Sequence, residues 1–190
     1  MTHEGRESWE TRLRGTAPGT PEPSLLEMMP LLMARGLVLD IAAGGGRHAI
    51  ALARAGFRVV AIDYAATAIR QLHDIAAAEH LPILPVVADL DEGLPFVPGS
   101  FDAVVNTNFL DRNLIAPLKS SLRIGGTLFF DTFLVDQAVT GHPRDPRFLL
   151  RHYELREMLS DMELLRYREG LTVYSAEKSA WRATALARRI

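Results

Sequence analysis

The chain has 190 residues, 48% hydrophobic and 23% charged, a composition typical of one globular domain with a sizeable core. A formal net charge of −2 gives no basic surface for DNA or RNA, and the lack of cysteine excludes disulfides and thiolate metal sites. No apolar run approaches the length of a membrane span, and the N-terminus lacks the basic and apolar regions of a signal peptide. We therefore expect a cytoplasmic protein that binds no metal, nucleic acid or membrane.

The start of the chain differs in pattern from the rest. Residues 1–23 are polar and rich in Gly, Pro and Thr, which predicts an N-terminal arm, either frayed or folded over the site as a lid. Residues 24–190 carry regular apolar patterns and are expected to form a single domain.

Strands and helices alternate along this domain. In chain order, the periodicity predicts helices at 24–34, 47–55, 65–79, 111–122 and 152–160, and strands at 37–41, 57–62, 83–87, 101–106, 127–133, 162–169 and 181–189. Loops are predicted at 91–100 and 140–147, and a turn at 125–126. The strands are continuous apolar runs, as expected where helices cover both faces of a sheet. The pattern predicts an α/β fold with a doubly wound, mostly parallel seven-stranded sheet in three α/β/α layers.

Three aspartates stand at the carboxyl ends of successive predicted strands. Asp40 ends the first strand and is followed by three glycines at 44–46. Asp63 lies 19 residues after Gly44, where an acid can accept hydrogen bonds from both ribose hydroxyls. Asp89 follows the next strand, where it could meet an adenine amino group. The alternative is that these carboxylates cap the helices that follow them.

The glycine-rich loop is compatible with two kinds of cofactor. Residues 44–49 fit the dinucleotide fingerprint G-x-G-x-x-A, which alone would suggest an NAD(P)-dependent reductase. Asp40 argues against that ligand, because the pyrophosphate of a dinucleotide would lie over this loop and be repelled. S-adenosylmethionine carries a positive sulfur and an ammonium group, which a carboxylate attracts. We favour this cofactor and keep the reductase and a non-catalytic cofactor-binding module as alternatives.

Five motifs occur in the order typical of class I S-adenosylmethionine-dependent methyltransferases, and the chain resembles that family over about residues 36–135. The matching segments are Asp40–Gly46, Asp63, Ala88–Leu90, Phe101–Asn106 and Leu122–Leu128. The resemblance implies a Rossmann-like fold, S-adenosyl-L-methionine as cofactor and S-adenosyl-L-homocysteine as product. The cofactor-binding residues that it implies are Asp40, Ala42, Gly44, Gly46, Arg47, Asp63, Tyr64, Asp89, Leu90 and Asn106.

A narrower resemblance is to small bacterial methyltransferases called TehB-like, after tellurite resistance. It is carried by Asn108–Arg112, Asp131–Phe133, Gly141–Leu150 and, in the arm, Trp9–Arg12. The chain departs from that pattern at Asp131, where Glu is expected, and at Leu13, where Tyr is expected.

The acceptor pocket is expected to form from segments that follow the fourth and fifth strands. Its candidate residues are Phe109, Asp111, Arg112, Phe133, Arg147 and Tyr153. The cofactor supplies the activation for methyl transfer, so the chain must position the nucleophile and exclude water, and no general base is assigned. The arginines would favour an anionic acceptor, unless they are solvated and paired with nearby acids. We expect methyl transfer to a small-molecule acceptor, a soft or anionic one, by a monomer or homodimer.

Overall fold

The structure, a computed structural model, describes residues 18–32 and 36–190. The helices are α1 (Pro23–Met28), α2 (Arg47–Arg54), α3 (Ala66–Ala78), α4 (Ile115–Ser121), α5 (Gln137–Thr140) and α6 (Glu154–Met158). The strands are β1 (Leu37–Ile41), β2 (Arg58–Asp63), β3 (Ile83–Val87), β4 (Phe101–Thr107), β5 (Leu122–Phe133), β6 (Glu163–Ser175) and β7 (Lys178–Arg188). In the described ranges, no helix combines the length and apolarity needed to cross a membrane. Most of the predicted arm, with Trp9 and Leu13, lies outside the described residues.

The seven strands form one sheet in the order β3-β2-β1-β4-β5-β7-β6, which confirms the predicted seven-stranded fold. Neighbouring strands among β1 to β5 pair in parallel, and β7 pairs antiparallel with both β5 and β6. The order reverses between β1 and β4, and ligands of such sheets bind in the crevice at the carboxyl ends of the strands around that point. Asp40 and Asn106 stand at these ends.

Two apolar clusters cover the two faces of the sheet, because successive residues of a strand point to opposite faces. Val38 belongs to the cluster that contains Leu25 of α1, Leu52 of α2 and Leu72 of α3. The cluster on the other face contains Leu39 of β1, Leu118 of α4 and Leu155 of α6. The three-layer α/β/α arrangement is therefore as predicted.

Several predicted helices are too long. The first α-helix ends at Met28 and continues only as a 3-10 turn, Met29–Leu31, since Pro30 has no N–H to donate within a helix. The helix predicted from Asp111 begins at Ile115, because the Asp111 carboxylate caps a separate 3-10 turn, Arg112–Leu114. The predicted helix at 152–160 spans only the residues of α6.

The late strands differ in the opposite sense, since they are longer than predicted. The predicted turn at 125–126 lies inside β5, where the pairing with β4 shifts register between Phe101 and Ala103 and Gly125 adopts a φ of 81°. A bulge of this kind lets a strand continue through a glycine pair. β6 and β7 extend beyond the predicted 162–169 and 181–189 into one long hairpin, in which exposed and partly buried residues mix along β6, whereas most of β7 is buried.

Candidate cofactor and acceptor site

Asp40 is a carboxylate buried at the carboxyl end of the sheet. It is the next-to-last residue of β1 and is 0% exposed, and among the described residues neither carboxylate oxygen has a hydrogen-bond partner within normal distance. Burial raises the pKa of Asp40 to about 7; the nearby Ala49 N–H opposes the rise, the negative charge of Asp63 adds to it, and the positive charge of Arg47 lowers it. Buried polar groups in proteins are nearly always paired, so two bare oxygens indicate a place for a donor from a ligand.

The loop after Asp40 uses left-handed backbone at three positions. Ala42, Gly44 and Gly46 have φ angles of 50°, 54° and 79°. A Cβ on Gly46 would lie 2.4 Å from Leu72 Cδ1, so this glycine also lets the loop pack against α3. A Cβ on Gly45 would meet nothing within 4 Å. The loop therefore packs against α3 at Gly46 and leaves open space at Gly45, where a ligand can approach the backbone closely.

Asp63 ties the end of β2 to this loop. Its Oδ2 accepts a hydrogen bond from the Gly44 N–H at 2.8 Å, and its Oδ1 accepts one from the Ala65 N–H at 2.8 Å. Burial raises the pKa of Asp63, while the N–H groups of Ala65 and Gly44 oppose the rise. Tyr64, which follows, is half-buried. Asp63 therefore lies where predicted, beside Asp40, and its contact with ribose stays a prediction.

The other predicted cofactor residues lie after β3 and near the end of β4. Asp89 Oδ1 accepts a hydrogen bond from the Asp91 N–H at 3.0 Å, so this oxygen caps the 3-10 turn that begins at Leu90, which is buried. Asn106 is 0% exposed and donates from Nδ2 to the Phe109 carbonyl at 2.8 Å. Its Oδ1 has no partner among the described residues. Asn106 thus presents a bare acceptor at the end of β4.

Arg47, one of the predicted cofactor-binding residues, is held by other residues of the chain. Its Nη1 donates to the Thr20 carbonyl at 3.2 Å, and its Nη2 donates to Glu22 Oε1 at 2.9 Å. Both partners precede α1. The guanidinium is therefore oriented by residues of the N-terminal segment, a contact that the sequence pattern did not indicate.

A buried ion pair that sequence reasoning missed joins β5 to β7. Asp131 and Arg182 are 0% and 3% exposed, and Arg182 Nε donates to Asp131 Oδ1 at 2.6 Å. Ser24 donates from Oγ to the other carboxylate oxygen, and Arg182 Nη2 donates to Asn108 Oδ1 at 2.7 Å. Burial raises the pKa of Asp131, and the charge of Arg182 opposes the rise. The sequence feature that could have indicated this ion pair is Arg182, a charged residue within the mostly apolar segment 180–187.

The predicted acceptor arginines are paired with acids. Arg112 donates to Glu154 from Nε at 2.6 Å and from Nη2 at 3.1 Å, and also to the carbonyls of Arg147 and Leu149. Arg147 pairs with Asp145 at 2.6 Å. These contacts match the alternative in which the arginines are paired with nearby acids. They hold the 145–154 segment against the turn that follows β4.

The remaining acceptor candidates do not all come together. Asp111 accepts from the Asn113 N–H at 2.9 Å as a turn cap, and Phe109 packs half-buried against the core. The Phe133 ring lies 4.5 Å from the Arg182 guanidinium carbon, on the side of the sheet end where Asp131 lies. Tyr153 is 60% exposed and lines an open cleft of about 420 Å³ with residues of α6 and β6, apart from the other candidates.

Comparisons with known proteins agree with this geometry. A methyltransferase-domain family matches residues 38–126. The chain is 26% identical to hemagglutinin 1 of Eikenella corrodens over 155 residues, which are 78% of this chain and 51% of that protein. It is 34% identical to ubiquinone biosynthesis O-methyltransferase of Xanthomonas campestris pv. campestris over 102 residues, 50% of this chain and 42% of that protein. The chain thus spans about half the length of these curated relatives.

Solved structures share the fold. TehB from Haemophilus influenzae superposes with a TM-score of 0.75 at 23% identity, over 90% of this chain and 63% of that one. A Burkholderia thailandensis 1,6-didemethyltoxoflavin-N1-methyltransferase, solved with 1,6-didemethyltoxoflavin and S-adenosylhomocysteine, gives a TM-score of 0.69 at 20% identity, over 98% and 83%.

The sheet order and the loop after Asp40 define a methyltransferase fold of class I. Residues 38–126 match a methyltransferase-domain family, and the chain shares its fold with TehB, which agrees with the predicted resemblance to class I S-adenosylmethionine-dependent methyltransferases.

Proposed function

We propose that this protein transfers a methyl group from S-adenosyl-L-methionine to a small-molecule acceptor. One observation carries the proposal, the buried Asp40 carboxylate, whose two oxygens lack partners among the described residues. An ammonium group supplies both the N–H donors and the positive charge that such a carboxylate needs. A pyrophosphate at the same place would add negative charge beside Asp40 and Asp63, which disfavours a dinucleotide.

The residues of the loop and of the strand ends suit the parts of this cofactor. Asp40 and the backbone of Ala42 and Gly44 would hold its amino-acid end, and Asp63 would accept hydrogen bonds from the ribose hydroxyls. Asp89 and Leu90 would flank the adenine, as the family resemblance implies. The bound cofactor supplies an activated methyl group on a positive sulfur, and the chain binds it, orients it and keeps water away.

The chemistry of the acceptor is less constrained than that of the cofactor. Arg112 and Arg147, on which the anionic preference depended, are engaged by Glu154 and Asp145. We therefore propose a small-molecule acceptor without assigning it a charge. From the sequence alone, we also propose that the protein is located in the cytoplasm and is a monomer or a homodimer.

Calorimetric titration with S-adenosylhomocysteine, with NADH in a parallel titration, tests the cofactor. We expect micromolar binding of S-adenosylhomocysteine by the wild-type protein and none by Asp40→Asn, while NADH binds neither. Asp74→Asn removes an exposed aspartate on α3 and serves as the matched control. Binding of NADH alone would overturn the proposal, and tight cofactor binding without methyl transfer to any acceptor tested would favour the non-catalytic module.

A further inference from the structure

Residues 18–24, which we call the strap, cross the carboxyl end of the sheet and are bonded there at several points. The Thr20 carbonyl accepts from Arg47, and the Glu22 N–H donates to His48 Nε2 at 3.3 Å. Ser24 donates to Asp131. The partners belong to α2 and β5, which lie far from the strap in sequence. The strap is therefore attached across the crevice in which the cofactor is proposed to bind.

Glu22 joins the two sides of that crevice through a single oxygen. Its Oε1 accepts from Arg47 Nη2 at 2.9 Å and from Asn108 Nδ2 at 3.2 Å. Arg47 follows the glycine loop, and its positive charge lowers the pKa of Asp40. Asn108 lies just past β4, and its Oδ1 accepts from Arg182. One carboxylate thus connects the cofactor side of the site to the end of β4.

Glu22 is ionised although it is buried. Burial alone would raise its pKa, but the charges of Arg182 and Arg47 and the hydrogen bond from Asn108 lower it below its ordinary value. Its negative charge is therefore part of the arrangement, since two arginines face it. Removing that charge leaves Arg47 without its ionic partner beside the glycine loop.

The attachment at His48 is independent of pH near neutrality. His48 Nε2 accepts from the Glu22 N–H, so the proton lies on Nδ1, which donates to Thr107 Oγ1 at 2.8 Å. Burial lowers the pKa of His48 to about 3, with Arg47 adding to the effect. The imidazole is thus a fixed neutral support for the strap.

We propose, building on the proposed function, that Glu22 is a positioning residue, which holds Arg47 in place to meet the carboxylate of the cofactor. In this arrangement the strap is a fixed wall of the site and does not act as a lid. Glu22 acts through Arg47, so it affects the amino-acid end of the cofactor and not its nucleoside end.

Two probes separate these ends. S-adenosylhomocysteine carries the amino-acid group, and 5′-methylthioadenosine lacks it. For Glu22→Gln we expect the Kd of S-adenosylhomocysteine to rise about tenfold, a loss typical of a hydrogen bond between charged groups. The Kd of methylthioadenosine should stay within about twofold, which also shows that the variant is folded. The matched control is Glu27→Gln, an exposed charge on α1 that pairs with Arg168, and we expect it to change neither Kd.

A double-mutant cycle with Arg47 completes the test. Arg47→Gln should give the same selective loss, and the double variant should lose no more than either single one, because the two residues act in series. An equal loss for both probes, unchanged affinity, or tighter binding of S-adenosylhomocysteine by Glu22→Gln would overturn the positioning role. Tighter binding would mean that Glu22 competes with the cofactor for Arg47. If the wild-type protein binds neither probe, the proposed function itself fails.

Discussion

The raised pKa of Asp40 predicts that the protein becomes less stable as the pH rises. In the folded chain the carboxyl group holds its proton up to about pH 7, whereas its ordinary pKa is 3.8. Between these values the unfolded chain binds fewer protons than the folded one, so the free energy of unfolding falls with pH. Asp40→Asn removes the ionisable group and, with it, this contribution.

The magnitude follows from the interval of pH. From pH 5 to pH 7 each unit contributes about 1.4 kcal/mol, and above pH 7 the contribution is constant. The wild-type protein should therefore lose up to about 3 kcal/mol relative to Asp40→Asn between pH 5 and pH 8. Comparing the two proteins at both pH values cancels the packing difference between Asp and Asn.

Urea unfolding of both proteins at pH 5 and pH 8 measures this difference directly. In saturating S-adenosylhomocysteine the part of the wild-type pH dependence that Asp40 causes should vanish, because the ammonium group keeps Asp40 ionised. The affinity for that ligand should increase by up to about tenfold for each unit by which the pH is raised toward 7. Asp74→Asn should behave like the wild type. A wild-type minus Asp40→Asn difference that is the same at both pH values would refute the reasoning.

Two further predictions concern the glycine loop and the buried ion pair. Gly46→Ala should lower the free energy of unfolding by about 2–5 kcal/mol, through backbone strain and the clash with Leu72. Gly45→Ala should leave that free energy within about 0.5 kcal/mol and weaken S-adenosylhomocysteine binding; equal stability losses in thermal unfolding would contradict this contrast. Arg182→Ala should cost about 3–5 kcal/mol, because Asp131 stays buried without its counter-charge. Urea midpoints measure that cost, and a value below about 1 kcal/mol would contradict it.

Local sequence patterns were sufficient for the sheet and the glycine loop. Strands buried on both faces are continuous apolar runs, and the loop of three glycines stands directly between one such run and a helix, so β1 and the loop could be predicted together. The sequence indicated seven strands, but the position of β7 between β5 and β6 was not predicted. Helix ends were less predictable, because the carboxylate of Asp111 caps a separate 3-10 turn before α4.

The partners of the polar side chains could not be read from local pattern. Arg182 is 51 residues from Asp131, and Glu22 is 86 residues from Asn108. No periodicity connects residues so far apart, so these contacts emerge only when the strands assemble. Arg112 was assigned to the acceptor pocket because of its charge and its position after β4, whereas the fold uses that charge to pair with Glu154.

The position of β7 between β5 and β6 has a consequence for how the chain is made. β6 leaves the ribosome before β7, yet it joins the sheet only through β7. Before β7 is synthesised, the edge of β5 can pair with another chain. At that stage Asp131 also lacks its ionic partner, Arg182. The sheet is therefore closed by the last of its described strands, and until that strand is in place the edge of β5 is a site at which aggregation can begin.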